Sequence, residues 1–227
     1  MQSCEADPPL AVLELLEDCT PRTACLQMAL DEALLASITT PLLRVYRWKD
    51  PCLTLGYFER FGPVSAAFPS HEITRRWTGG GTVSHGSDWP YSLLVPASHP
   101  FARKAARESY FVIHSALARC LASINPPIHL ASSDRTKTSS DCFENPVQHD
   151  LLQQGQKIAG AGQRRTQSGL LHQGSVQLDA SQHPSAQTLA SHLAAGVRPF
   201  AIRNETLHQA EQICRARYGN AAWITKF

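Results

Sequence analysis

Two segments of the chain combine residue types suited to holding a carbonyl on which negative charge develops. The first is Arg75-Arg76-Trp77-Thr78-Gly79-Gly80-Gly81-Thr82-Val83-Ser84-His85. Three consecutive glycines lose much backbone freedom on folding. A ligand pressed against main-chain N–H groups is one reason for a sequence to tolerate that loss; a tight solvent-exposed turn is the alternative, of equal weight for this segment alone. No Lys-Ser or Lys-Thr follows at P-loop spacing, and the run is not a GxGxxG dinucleotide turn. Arg75 and Arg76 precede the turn on an extended segment, where successive side chains point opposite ways. One is therefore expected to face the site and the other solvent. His85 is a candidate hydrogen-bonding group, although a lone histidine in such a place is more often structural.

The second segment is Gly155-Gln156-Lys157-Ile158-Ala159-Gly160-Ala161-Gly162-Gln163-Arg164-Arg165-Thr166. Lys157 is flanked by apolar Ile158 and small residues, which makes it a candidate sheltered cation. A sheltered ammonium can hydrogen-bond a carbonyl and stabilise charge developing there during acyl transfer. Gly160 and Ala161 offer close approach for a flat or extended ligand. Taken alone, a surface hairpin with a solvated lysine is the simpler reading. In Leu170-Leu171-His172-Gln173-Gly174-Ser175-Val176-Gln177-Leu178 the polar centre could lie beside the same site, or form an ordinary turn-to-strand entry.

These segments need elements to position them. Residues 23–35 read as an amphipathic helix, with Leu26, Ala29, Leu30, Ala33 and Leu34 on one stripe and Thr23 placed to cap it. Residues 42–48 and 52–58 read as strands joined at the turn signal Asp50-Pro51. Residues 73–77 and 89–95 are further strands. Residues 102–124 read as a long helix stopped by Asn125-Pro126-Pro127. Residues 132–145 are polar and predict a loop, which contains Cys142. Strand pieces follow at 151–152, 156–159 and 174–178, with turns at Gln154-Gly155 and Ser168-Gly169. From about Ser185 the chain reads as helical, with a break at Arg198-Pro199. Strands in hairpins with separate helices imply an α+β sheet domain. The expected division is an N-terminal extension, residues 1–22, lying loosely against a single domain of residues 23–227.

Composition narrows the function classes. Of 227 residues, 43% are hydrophobic and 18% charged, which is globular. The formal net charge of +2 gives no reason to expect nucleic acid or an anionic membrane as partner. Arg75-Arg76 and Arg164-Arg165 are short basic pairs, not an extended stripe. The seven cysteines, at 4, 19, 25, 52, 120, 142 and 214, are odd in number and never spaced CxxC, which disfavours a disulfide framework and a zinc site. With no apparent signal peptide and no apolar stretch of membrane-spanning length, a cytoplasmic location is expected.

Six pieces occur in an order that resembles the lipoate–protein ligase A and octanoyltransferase family, which shares its catalytic fold with biotin–protein ligases. They are Met28 to Leu35, Leu43 to Trp48, Leu55-Gly56-Tyr57-Phe58, Arg75 to His85, Lys157 to Arg165, and Leu171-His172-Gln173-Gly174-Ser175. Together they span roughly residues 24–180. The resemblance implies a mixed, largely antiparallel sheet with flanking helices. It implies a pocket for an acyl chain and its activated carbonyl, lined by Arg76, Gly79, Gly80, Gly81, His85, Gly160 and Ala161. Lys157 would hydrogen-bond the acyl carbonyl or the phosphate of an acyl-adenylate.

Two chemistries share this scaffold. A ligase uses ATP with Mg2+ to make a lipoyl-adenylate from free lipoate, whereas a transferase takes octanoyl from acyl-carrier protein through a cysteine and needs no cofactor or metal. Cys142-Phe143-Glu144-Asn145-Pro146, fifteen residues before Lys157, resembles the cysteine loop of LipM-type octanoyltransferases. By that resemblance Cys142 is the nucleophile; Lys157 and Arg135 or Lys137 could lower its pKa if they lie close to it. Gly81 departs from that type, which tends to carry arginine there, and Gly86-Ser87-Asp88-Trp89-Pro90-Tyr91 departs from both patterns. About 47 residues follow position 180, fewer than an accessory domain of many ATP-dependent ligases needs. The expectation leans to the transferase; a ligase, or a non-catalytic acyl-binding subunit, is the alternative. The implied acceptor is a lipoyl-acceptor protein, such as an H protein or an E2 lipoyl domain.

Overall fold

The computed structural model describes residues 8–136, 139 and 141–227. Among these residues eleven strands alternate irregularly with helices. In chain order they are β1 (Leu10–Arg22), α1 (Ala24–Ser37), β2 (Leu42–Trp48), β3 (Cys52–Leu55), α2 (Phe61–Ala67), β4 (Glu72–Arg75), β5 (Val83–His85), β6 (Trp89–Pro96), α3 (Ala106–Cys120), β7 (Ile128–Leu130), β8 (Leu151–Gln153), β9 (Gln156–Thr166), β10 (Gly169–Val176), α4 (Ala186–Leu193), β11 (Ala194–Pro199), α5 (Asn204–Ile213) and α6 (Ala221–Ile224). Eight strands form one sheet in the order β11-β1-β2-β6-β10-β9-β8-β7, and β4-β3-β5 form a second, small sheet. In the large sheet only β11–β1 and β1–β2 pair in parallel; the other neighbours are antiparallel. The expected mixed, largely antiparallel α+β fold is therefore present.

The period-2 alternation of strands sorts side chains onto two faces. Leu42, Leu94 and Leu171 pack with α1 and with Ala210 of α5 on one face. Leu43, Leu93, Val95 and Leu170 pack with Ile113 and Leu117 of α3 and Leu189 and Leu193 of α4 on the other. α1 also carries buried polar residues. Arg44 of β2, fully buried, reaches Asp18 Oδ2 at 2.9 Å, Asp31 Oδ1 at 2.7 Å and the side chain of Gln27. Asp31 Oδ2 accepts from Ser92 Oγ at 2.6 Å and Gln173 Nε2 at 2.8 Å, and Gln173 Oε1 accepts from Thr78 Oγ1 at 2.9 Å. This chain of bonds carries the position of α1 through the sheet to the residue before the three glycines.

Several expectations are corrected. Residues 10–22 are not a loose extension: β1 sits inside the sheet between β11 and β2, with Leu10 and Leu13 in the core. The strands either side of Asp50-Pro51 form no hairpin, because β2 joins the large sheet and β3 the small one. The region read as one helix, 102–124, is a short 3-10 turn (Pro100–Arg103) followed by α3. β11 replaces expected helix at 194–199; it is an edge strand whose pairing with β1, some 180 residues away, leaves little local pattern. β9 and β10 run longer than expected. Thr23 stands at the α1 N-cap without a side-chain cap bond.

Among the described residues no helix is long and apolar enough to cross a membrane. The described cysteines carry no disulfide; Cys25 and Cys214 lie nearest one another, with Sγ atoms 2.9 Å apart. Cys4 and Lys137 lie outside the described residues.

Candidate active site

The glycine turn closes the end of the small sheet. Gly56, just past β3, donates its N–H to Gly81 O, Tyr57 N–H reaches Thr78 O, and Arg76 N–H reaches Leu55 O. Gly80 takes φ +99°, a conformation that favours glycine. Beneath the turn, Arg76 donates to Thr54 O and Oγ1, both at 2.7 Å, and to Gly79 O and Gly81 O at 3.1 and 2.9 Å. Its guanidinium thus staples the turn to β3. Arg75 does point the other way, but not into solvent. It is fully buried and donates to the carbonyls of Gly56, Tyr57, Glu59, Trp223 and Ile224.

The loop carrying Cys142 is pinned to the same turn. Cys142 N–H donates to Thr82 O at 2.9 Å, and the Asn145 side chain ties back to Ser139 and the Asp141 carbonyl. A side chain on Gly80 would begin 4.0 Å from Cys142 Sγ. From the other side comes Lys157 on β9, only 8% exposed. Its Nζ lies 3.4 Å from Cys142 Sγ, 3.0 Å from Cys142 O and 2.8 Å from Asp150 Oδ2. The ammonium and the bare backbone bend therefore meet at one sulfur atom.

A narrow cleft opens beside this sulfur. Arg76, Gly79, Gly80, His85, Cys142, Gly160 and Ala161 line it, as do Gln173, Gly174 and Ser175 of β10. Gly81 stands back from the lining, its carbonyl engaged by Arg76 and Gly56. Lys157 lies behind Cys142 rather than in the wall. His85 is held on both ring nitrogens: Nε2 against Thr54 Oγ1 at 2.8 Å and Nδ1 against Asp88 Oδ2 at 2.7 Å. Burial alone would raise the Asp88 carboxyl, but His85, Ser175 Oγ and the Gly86 N–H hold it below its ordinary value. Arg135 lies by the Gly155 turn, within 4.0 Å of where a Gly155 side chain would begin.

Sequence reasoning missed the apolar walls, Met28 of α1 and Tyr46 and Trp48 of β2, together with Phe143. It also missed Asp150 and Tyr110, which support Lys157. The signals were faint. Met28 shares a helix face with Asp31, and Asp150 stands seven residues before Lys157, just ahead of the β8–β9 hairpin. Among the described residues no group of three or more His, Cys, Asp or Glu could hold a metal ion.

The family described as lipoyl protein ligase A/B catalytic domain matches residues 23–209. Octanoyltransferase LipM of Oceanobacillus iheyensis is 34% identical over 168 residues, covering 70% of this chain and 62% of that protein. Octanoyltransferase LipM of Staphylococcus aureus is 33% identical over 168 residues, covering 67% and 61%. The chain spans about three fifths of the length of these curated relatives. In fold, it superposes on a lipoate-protein ligase A bound with ATP at TM-score 0.72, 17% identity, covering 97% of this chain and 99% of that one. A bi-partite lipoate protein ligase from Thermoplasma acidophilum gives TM-score 0.68 at 17% identity, covering 95% and 96%.

Proposed function

Since the chain belongs to the lipoyl protein ligase A/B catalytic-domain family, we propose that it transfers an octanoyl group from a carrier-protein thioester to a lysine of a lipoyl-acceptor protein. The intermediate is a thioester on Cys142. The observation that carries this reading is the 3.4 Å approach of Lys157 Nζ to Cys142 Sγ, beside an apolar-walled cleft that Cys142 lines.

The steps balance without a cofactor. The Cys142 thiolate adds to the donor carbonyl, a C–S bond forms, and the carrier thiolate departs, taking a proton from the Lys157 ammonium. The acceptor lysine amine then attacks the Cys142 thioester. A C–N bond forms, the C–S bond to Cys142 breaks, and Lys157 recovers the proton that the amine loses. Nucleophile, ammonium and an orienting carboxylate form the arrangement expected for an activated nucleophile. Met28, Tyr46 and Trp48 supply an apolar wall for the acyl chain, and the Gly79–Gly81 backbone admits the thioester close to the sulfur.

Incubation with octanoyl carrier protein followed by mass spectrometry tests this. An octanoyl adduct on Cys142, discharged by an H protein or an E2 lipoyl domain, is the expected result. Attachment that demands ATP, Mg2+ and free lipoate, and that survives Cys142→Ser, would mean the adenylate-forming ligase reaction instead. Gly81, where LipM-type enzymes tend to carry arginine, is the feature that keeps this second reading in view.

A further inference from the structure

Lys157 has no donor to spare. An ammonium carries three N–H bonds, and the three acceptors around Nζ are Asp150 Oδ2, Cys142 O and Cys142 Sγ. The first of these is itself fixed. Asp150 is fully buried; its Oδ1 accepts the Tyr110 hydroxyl, and its Oδ2 also accepts the Val147 N–H at 2.8 Å. The Tyr110 oxygen in turn accepts the Ala161 N–H at 2.9 Å, which locks the phenol to β9.

We propose that Asp150, backed by Tyr110, is a positioning residue that sets the Lys157 ammonium so that its third N–H falls on Cys142 Sγ. The inference deepens the reading of Cys142 and Lys157 as the reacting pair and rests on it. With two donors committed to Asp150 and the Cys142 carbonyl, the ammonium cannot turn away from sulfur without breaking a buried ion pair. Asp150 also supplies the counter-charge that keeps a nearly buried ammonium in place, since an unpaired buried charge loses its proton or moves toward water. Asp150 is not among the residues that line the cleft, so its effect on the reaction runs through Lys157.

Other charged and titratable groups stand near this pair; Tyr91 of β6, its pKa raised first by burial, interacts electrostatically with Asp150. Arg76, under the glycine turn, interacts electrostatically with Cys142. His114 of α3 interacts with both Asp150 and Lys157, and burial pushes its pKa down to about 4, so it is neutral near pH 7. Asp141 and Glu144 sit on the cysteine loop itself and are exposed. Asp150 is thus the one buried anion against Lys157 among the described residues.

The test uses Asp150→Asn in the full chain, read first by the pH profile of Cys142 alkylation by iodoacetamide, which needs no acyl substrate. In the variant the alkylation profile is expected to shift, because the ammonium is no longer fixed against the sulfur. Octanoyl-transfer kcat is expected to fall on the order of a hundredfold with donor KM little changed. In a Lys157→Met background, adding Asp150→Asn should shift the alkylation profile no further and should raise the melting temperature, because the buried carboxylate left without its partner is removed. An unshifted profile in the single variant, or an equal further shift in the Lys157→Met background, would overturn the proposal. A shifted profile in a protein whose native form transfers no octanoyl group would keep the positioning role and sink the transferase reading. Normal transfer by a folded Asp150→Asn would do the reverse.

Discussion

The Lys157 side chain runs directly across the α-carbon of Gly160. A Cβ built at 160 would lie 2.3 Å from Lys157 Cε and 2.6 Å from Nζ. Gly160→Ala therefore cannot coexist with the observed lysine position, although an alanine suits the strand backbone itself. The expected result is a folded protein whose kcat for acyl transfer drops on the order of a hundredfold, the usual consequence of misplacing a reacting group by about an ångström. Steady-state kinetics on the variant check it; native kcat would mean that Lys157 need not sit where it does.

Replacing Lys157 by alanine removes the group that faces the Cys142 sulfur. Transfer is expected to fall by roughly 10²–10⁴-fold, the range for losing a positioned proton donor. Cys142→Ser should stop adduct formation while leaving the fold intact, since among the described residues the half-buried Sγ has Lys157 as its hydrogen-bond partner. Circular dichroism and adduct mass spectrometry on both variants decide the matter, and a serine variant that still transfers octanoyl would remove Cys142 from the mechanism.

Stability should depend on pH through a histidine far from the surface. In the unfolded chain an imidazole takes up a proton near pH 6.5. In the fold, burial is the largest influence on His114 and, only partly countered by Asp150, pushes it down to about 4. Between those values the unfolded chain binds a proton that the native state does not, so stability rises with pH there. The contribution is complete above pH 6.5 and is lost as the pH falls toward 4, amounting to about 3 kcal/mol. His172, its pKa also lowered by burial, acts in the same sense. Urea unfolding across this pH range should show a flatter dependence for His114→Phe than for the native chain, whatever its absolute stability. Parallel curves would show that His114 is not the group responsible.

Arg76→Lys tests the staple beneath the glycine turn. One lysine ammonium cannot span Thr54 and the two glycine carbonyls that the guanidinium fork reaches. A loss of about 2 kcal/mol in unfolding free energy is expected, together with a higher donor KM as the turn loosens beside the cleft. An unchanged KM would separate the turn from donor binding.

Parts of this site are written locally, and the chain alone discloses them. The three glycines, the two-residue turn Gln154-Gly155 ahead of Lys157 and the amphipathic run of α1 all depend on interactions within a few residues, so residue type and spacing suffice. The loop position of Cys142 is legible in the same way. Tertiary structure decided the rest. β1 and β11 find each other across the length of the chain. Arg75 is drawn into the C-terminal carbonyls rather than into water. Ala161, Tyr110 and Asp150, from β9, α3 and a loop, form one chain of bonds that ends on the Lys157 ammonium. Such contacts join residues far apart in sequence, and each side chain, considered singly, has many equally good partners. Only the assembled sheet and the exclusion of water from its faces select among them, because a buried donor or charge left unmatched is too unfavourable to persist.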